Sequence, residues 1–188
     1  KKLQSLRLFK SVKVKEKNIE NNLINIDIEV EEQQTGTVNA GVSVGTIDGF
    51  SVVAGLSERN FYGTGRSVDA LLNTSDKKTE FTLSTTDRLS YENDVDISYQ
   101  SSYKEEDFAS TSSYKLNTFT FGTGIAYNVN SEFSHSIDIK YLLKEYIITD
   151  SNTVSSTIGD SSGQNASFII TNGFVHNSLN SIYQPQNG

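Results

Sequence analysis

Several groups of residues have the types and spacing that chemistry would need. Gly41-Val42-Ser43-Val44-Gly45 matches the G-x-S-x-G pattern of a nucleophile elbow. That motif works where a serine sits on a strained turn between a strand and a helix. Ser43 instead lies in an extended segment, and Asp48-Gly49 marks a hairpin turn after it. Gly159-Asp160-Ser161-Ser162-Gly163 has the composition of a serine-protease loop. The histidine before it, His135, lies too close in sequence to Asp138 and Asp150 to build a triad across two subdomains. His135 and His176 are the only histidines, and neither has an acidic cluster nearby, so no metal centre is expected. Glu105-Glu106-Asp107 reads as a solvated loop, or as a run that attracts divalent cations at a lipopolysaccharide surface. Gly63-Thr64-Gly65-Arg66 lacks the strand–loop–helix context of a phosphate-binding loop. Asp94 and Asp96 fall on the polar face of a strand, where they suit a wet interior better than acid–base work. The expectation is a protein with no catalytic residue, no cofactor and no metal.

Composition narrows the classes further. The formal net charge of -7 argues against nucleic acid as a partner, because phosphate binding needs a basic face. With no cysteine, a disulfide framework and a thiolate metal site are both excluded. The sequence opens at Lys1-Lys2 and reads as a fragment, so the lack of a signal peptide carries no information. No stretch reaches the roughly 18 apolar residues of a membrane helix. A membrane β-strand needs only about 9–11 residues and one apolar face. A hydrophobic fraction of 35% is compatible with either solvent.

The elements that would position these residues are mostly strands. Residues 1–12 read as the end of an amphipathic helix, with Leu3, Leu6, Leu8 and Phe9 on one face. Val12 to Lys15 then alternates, residues 18–22 read as a turn, and Leu23 to Val30 alternates strongly. From Gly36 onward no helix period survives. Eight strands are expected at about 37–45, 50–58, 66–75, 79–86, 94–103, 115–127, 133–148 and 166–176. Phe50, Val52, Ala54 and Leu56 share a face; so do Val95, Ile97 and Tyr99, and so do Phe133, Ile137, Ile139, Tyr141 and Leu143.

The connections alternate too. Thr46–Gly49, Ser75–Lys78, Lys104–Tyr114 and Thr149–Asn165 grow long and hydrophilic, whereas Arg59–Gly65, Asp87–Asn93 and Asn128–Glu132 are shorter. In an up-and-down sheet every second turn lies on the same side. Long loops on one side and short turns on the other is the pattern of an outer-membrane barrel. Alternation alone leaves a soluble sandwich or barrel open. Strands of twelve or more residues favour the membrane, because soluble strands cluster near five or six.

Five motifs, in order along the chain, resemble the BamA family of outer-membrane β-barrel assembly factors. Leu6 to Val14 resembles the helix-to-strand step of a POTRA domain, with Leu8 near the place of the family's glycine. Val30-Glu31-Glu32-Gln33-Gln34-Thr35-Gly36 is similar to the V-x-E-x-x-T-G junction before barrel strand one. Gly41–Gly45 followed by Asp48-Gly49-Phe50 is similar to the first hairpin. Glu58-Arg59-Asn60-Phe61-Tyr62-Gly63-Thr64-Gly65 resembles the E-x-N-F-x-G-x-G turn, with Asn60, Phe61, Gly63 and Gly65 on the motif positions. Phe174 to Asn177, through Pro185 to Gly188, resembles a mid-barrel turn ending in P-x-x-G.

The resemblance implies a mainly β chain. Residues 1–35 would be the helix–strand–strand end of an α+β POTRA domain in the periplasm. Residues 36–188 would be the N-terminal half, about eight strands, of an antiparallel up-and-down transmembrane barrel in the outer membrane. It implies assembly and insertion of outer-membrane proteins. Thr37, Val38, Asn39, Gly41, Val42, Ser43, Val44 and Gly45 would be one side of a lateral gate that templates client strands. The implied partners are nascent outer-membrane proteins, BAM-complex lipoproteins, periplasmic chaperones and outer-membrane lipid. A TamA-type factor or a two-partner-secretion transporter shares the layout. A diffusion porin lacks the POTRA-like start, and an esterase would have to use Ser43.

Overall fold

The computed structural model describes residues 8–19, 23–87 and 95–178. Strands dominate, and they form two separate antiparallel sheets. The first is a hairpin of β1 (Phe9–Ile19) and β2 (Leu23–Glu32). Val12 lies opposite Val30 and Val14 opposite Ile28, which puts the apolar side chains of both strands on one face. The other face pairs charges across the strands: Lys15 with Glu29, Lys17 with Asp27 at 3.3 Å, and Lys10 with Glu31 at 2.9 Å. The helix expected over 1–12 is therefore corrected from Phe9 onward. Val12 and Val14 belong to a strand because their partners sit some sixteen residues away, beyond the reach of a local periodicity. Residues 1–7 of that expected helix, and 20–22 of the expected turn, lie outside the described residues.

The second sheet has eight strands in sequence order: β3 (Gly36–Gly45), β4 (Gly49–Glu58), β5 (Ser67–Ser75), β6 (Lys78–Asp87), β7 (Val95–Asp107), β8 (Tyr114–Asn128), β9 (Phe133–Ile148) and β10 (Gly163–His176). Each is antiparallel to its neighbour in sequence, so the sheet is a plain meander. Its register turns the alternation within each strand into rows across the sheet. Ala40, Ala54, Leu72, Phe81, Tyr103, Phe119, Leu143 and Ala166 stand directly opposite one another from β3 to β10. One residue along, the row on the other face is Asn39, Gly55, Leu71, Thr82, Ser102, Thr120, Leu142 and Ser167. One face is thus apolar and aromatic. The other is mostly small and polar, with Leu71 and Leu142 as exceptions in this row, and it also carries Glu80, Lys104, Asp138 and Lys140.

Among the described residues no second layer covers either face. Among the described residues no hydrophobic side chain is buried, and Phe168 is 73% exposed. A soluble sandwich would have sealed these rows against a second sheet. A wall of Phe, Ile and Tyr this wide needs an apolar solvent, since water-facing apolar patches on soluble proteins are small. β7, β8 and β9 have 13, 15 and 16 residues, more than the roughly 9–11 that cross a bilayer.

The extra length changes the reading of the connections. Residues 46–48, 76–77, 108–113 and 149–162 join strands at the end far from the hairpin. Residues 104–107 are strand rather than the loop expected from their charges. The ladder continues because Lys115 stands opposite Asp107 and forms an ion pair at 2.9 Å, while Lys104 and Glu106 pair at 2.7 Å. Residues 163–165 likewise open β10. The remaining 108–113 holds a short helix, α1 (Ala109–Ser112), and 149–162 holds α2 (Ser156–Asp160). At the hairpin end the connection is 59–66, one residue beyond the expected Arg59–Gly65, and 88–94 lies outside the described residues. The far-end loops lean on one another: the Thr149 N–H donates to the Ser113 carbonyl at 2.9 Å, and Lys77 Nζ to Ser110 Oγ at 3.2 Å. Within the longest of them, Asp150 accepts from the Asn152 N–H and the Thr153 hydroxyl, both at 2.9 Å. Those two bonds hold its carboxyl below the ordinary aspartate value.

The two faces should differ in tolerance. Ile139 stands near the middle of the apolar face, and Ile139→Lys should cost about 2–4 kcal/mol, the penalty for a cation near the bilayer midplane. Thr120→Lys, on the polar face, should cost less than about 0.5 kcal/mol. Urea titration of the full-length protein folded in lipid vesicles measures both, and equal costs would contradict the assignment of faces.

Candidate functional site

β3 and the turn after β4 hold the residues that the sequence singles out, and the sheet brings them to one corner. β3 pairs with β4 along its whole length, from Gly36 opposite Glu58 to Gly45 opposite Gly49. Its other edge has no partner among the described residues. All ten of its residues are exposed, with Val38 at 77%, Val42 at 71% and Val44 at 82%. These three valines share the apolar face with Ala40, whereas Thr37, Asn39, Gly41 and Ser43 lie on the polar face. A Cβ added at Gly41 or Gly45 would meet nothing within 4 Å. Glycine is therefore not demanded there by crowding. Its effect is on the strand itself, which gains backbone freedom and loses packing surface.

Both ends of the β3–β4 hairpin are tied down. At the far end Gly49 adopts a φ of 71°, and the Asp76 carboxylate sits where its side chain would be. The Phe50 N–H donates to Asp76 Oδ2 at 3.4 Å. At the near end Glu58 Oε1 accepts from the Asn60 N–H at 2.7 Å and from the Thr35 hydroxyl. The Asn60 side chain in turn accepts from the Gly65 N–H at 2.8 Å, closing the loop. Inside it, the Gly63 N–H reaches the Asn60 carbonyl at 2.9 Å, and the Phe61 N–H reaches the Arg66 carbonyl at 2.8 Å. Tyr62, Gly63 and Gly65 take φ values of 52°, 73° and 74°, left-handed backbone that glycine adopts without steric cost. Phe61 and Tyr62 stack edge to face with centroids 4.5 Å apart. Asn60, Gly63 and Gly65 thus each have a local structural reason, and the motif is a turn rather than a ligand site.

Sequence reasoning missed two partners of this turn. Thr35 is the first, since its bond to Glu58 spans 23 residues. The Arg66–Asp87 ion pair is the second, with Arg66 Nε 3.0 Å from Asp87 Oδ2, and Asp87 is the one buried polar residue described. The charge alternation near 66 and 87 gives no local sign of it.

The other candidate chemistries do not assemble. Ser43 is on β3 and His135 on β9, with β4 to β8 between them, and no helix follows Ser43. Gly159–Gly163 spans the end of α2 and the start of β10. His135 is stacked on Phe174 at 4.4 Å and shares a hydrogen bond with the Tyr127 hydroxyl at 2.9 Å, while His176 lies beside Glu132 at 3.6 Å. Among the described residues no three His, Cys, Asp or Glu side chains are grouped to hold a metal.

The chain matches the Omp85 superfamily domain over residues 60–188. It is 27% identical over 133 residues to the outer membrane protein assembly factor BamA of Buchnera aphidicola subsp. Acyrthosiphon pisum (strain APS). That match covers 69% of this chain and 22% of the relative, so the chain corresponds to a minor part of the relative's length. Among solved structures, BamA from Haemophilus ducreyi lacking POTRA domains 1-3 superposes on all of this chain and 38% of its own, with a TM-score of 0.71 and 21% identity. At that identity the likeness establishes the fold, a barrel wall of the BamA type.

The turn can be tested by its parts. Asn60→Ala removes the acceptor of the Gly65 N–H and should destabilise the protein by about 1–3 kcal/mol. Gly65→Ala forces a side chain onto left-handed backbone and should cost about 1–2 kcal/mol. Arg59→Ala, at an exposed position of the same turn, should cost less than about 0.5 kcal/mol. Denaturant midpoints of the three variants check the ranking.

Proposed function

The chain belongs to the Omp85 superfamily, and from that premise we propose that it is part of a factor that assembles and inserts β-barrel proteins into the outer membrane. In this reading β3 is one side of a lateral gate. Its free edge offers unpaired N–H and C=O groups to a strand of an incoming client, which adds by β-augmentation. What supports the reading is the make-up of β3: small, fully exposed side chains, and glycines at 41 and 45 that no neighbour crowds. A client strand in hydrocarbon has nowhere to place its backbone polar groups. An edge of matching direction lowers that barrier with no covalent step.

The β1–β2 hairpin then belongs to a POTRA domain, with the boundary near residue 35, and it lies on the periplasmic side. Its exposed Ile24, Ile26 and Ile28 would pack against the rest of that domain. That domain would meet clients, periplasmic chaperones and BAM-complex lipoproteins. β10 would be continued by further strands that complete the barrel, and the apolar face of the whole wall would meet outer-membrane lipid.

The edge is tested by a photo-crosslinking amino acid placed at Val42 or Val44 of the full-length protein in cells. Capture of nascent barrel chains is expected from both positions. Capture only from β9 positions such as Ile139 or Tyr141 would contradict a gate at β3.

A further inference from the structure

Two motifs that the sequence separates meet in one contact. Thr35 and Gly36 end the junction motif, and Glu58 opens the turn motif. Glu58 stands directly opposite Gly36 at the first rung of the β3–β4 ladder. Its carboxylate lies across Gly36 to reach the Thr35 hydroxyl, and a Cβ added at Gly36 would come within 2.8 Å of Oε2. The same oxygen that accepts from Thr35 also accepts from the Asn60 N–H at 2.7 Å. One carboxylate thus joins the linker after β2, the start of β3 and the turn after β4.

The loop 46–48 sets the register of β3 at its far end, and the Glu58 contact holds it at the near end, nine residues away. A slip of one residue would turn its valines to the polar face, and the alternation forbids it. A slip of two keeps the faces. Val38, Ala40, Val42 and Val44 are all small, and they stand opposite Leu56, Ala54, Val52 and Phe50, partners that set no unique fit. Glycine-rich strands specify register weakly. We propose that Glu58 is a positioning residue: by holding Thr35 across Gly36, it fixes the register of β3 and therefore the register in which the free edge meets an added strand. The first half of this stands on the geometry alone, and the second rests on the gate reading above.

The test uses the full-length protein in lipid, with folding checked by heat-modifiable migration. Hydrogen–deuterium exchange of a peptide spanning residues 36–42 reports the clamp. Glu58→Ala and Thr35→Val should speed exchange there about ten-fold, as the loss of a charge-assisted hydrogen bond implies. Gly36→Ala should do the same by pushing the carboxylate aside. Thr35→Ser, which keeps the hydroxyl, should exchange like the unchanged protein. If Glu58→Ala fails to fold, Glu58→Gln should fold, because its amide oxygen can still accept. Equal exchange in Thr35→Val and Thr35→Ser would overturn the clamp. Disulfide trapping between a cysteine at Val42 and a series of client positions reports register. One dominant pair is expected in the unchanged protein, spreading to pairs two residues away in Thr35→Val. A single pair in both would overturn the link from clamp to client register. No disulfides at all, even in the unchanged protein, would refute the gate reading and with it that link, while the exchange result still decides the clamp.

Discussion

In hydrocarbon a backbone amide cannot turn to water, and each unpaired donor or acceptor costs several kcal/mol. The architecture of this chain follows from that constraint. From β4 to β9 each strand has a partner on both sides, and the ladder runs without a crossover. Satisfying the backbone in this way leaves the side chains to choose their solvent, and strict alternation sends them to two different ones. The apolar rows gain by facing lipid, and the polar rows suit the wet interior of a barrel. This is why a chain with no buried hydrophobic residue described can still have a defined fold. Its apolar solvent is outside it.

The same constraint gives the edges their meaning. An edge strand in lipid is under pressure to find a partner, and that pressure is what β-augmentation uses. β3 would suit the proposed role by its make-up: no large side chain, and glycine at two positions where nothing demands it. Such a strand would be poorly defined if left to itself. Both ends of its hairpin are instead anchored by carboxylates, Asp76 at one end and Glu58 at the other. The arrangement keeps the strand in place against β4.

Much of this was legible in the sequence, and what was not has a physical reason. The rows of β8 and β9 could be read directly, because Phe119, Phe121 and Ile125, and Ile137, Ile139 and Tyr141, alternate over long stretches. The eight strands followed from the same signal, and the motifs from resemblance to a family. The strand ends beyond the apolar band could not be read. Glu105, Glu106 and Asp107 have the composition of a loop, and their partners across the ladders, Lys78 and Lys115 among them, explain why they continue as strand. Phe9 to Val12 failed for a similar reason, since a helical pattern in a few residues was overridden by partners on β2. The anchoring contact was invisible because a threonine and a glutamate 23 residues apart carry no local pattern. Motif resemblance marked both residues as belonging to something, and the ladder register showed what they share.

The claim on which everything else rests is that the apolar face of this sheet meets lipid and the polar face meets water. Single cysteines placed one at a time from Ser134 to Leu143 on β9, in the full-length protein in outer-membrane vesicles, test it directly. Each is labelled with a fluorophore and exposed in turn to a lipid-attached quencher and to a water-soluble one. The account predicts an alternation of period two: positions 135, 137, 139, 141 and 143 respond to the lipid quencher, and those between them to the aqueous one. Uniform response along the strand, or protection of the odd positions from both quenchers, would contradict it.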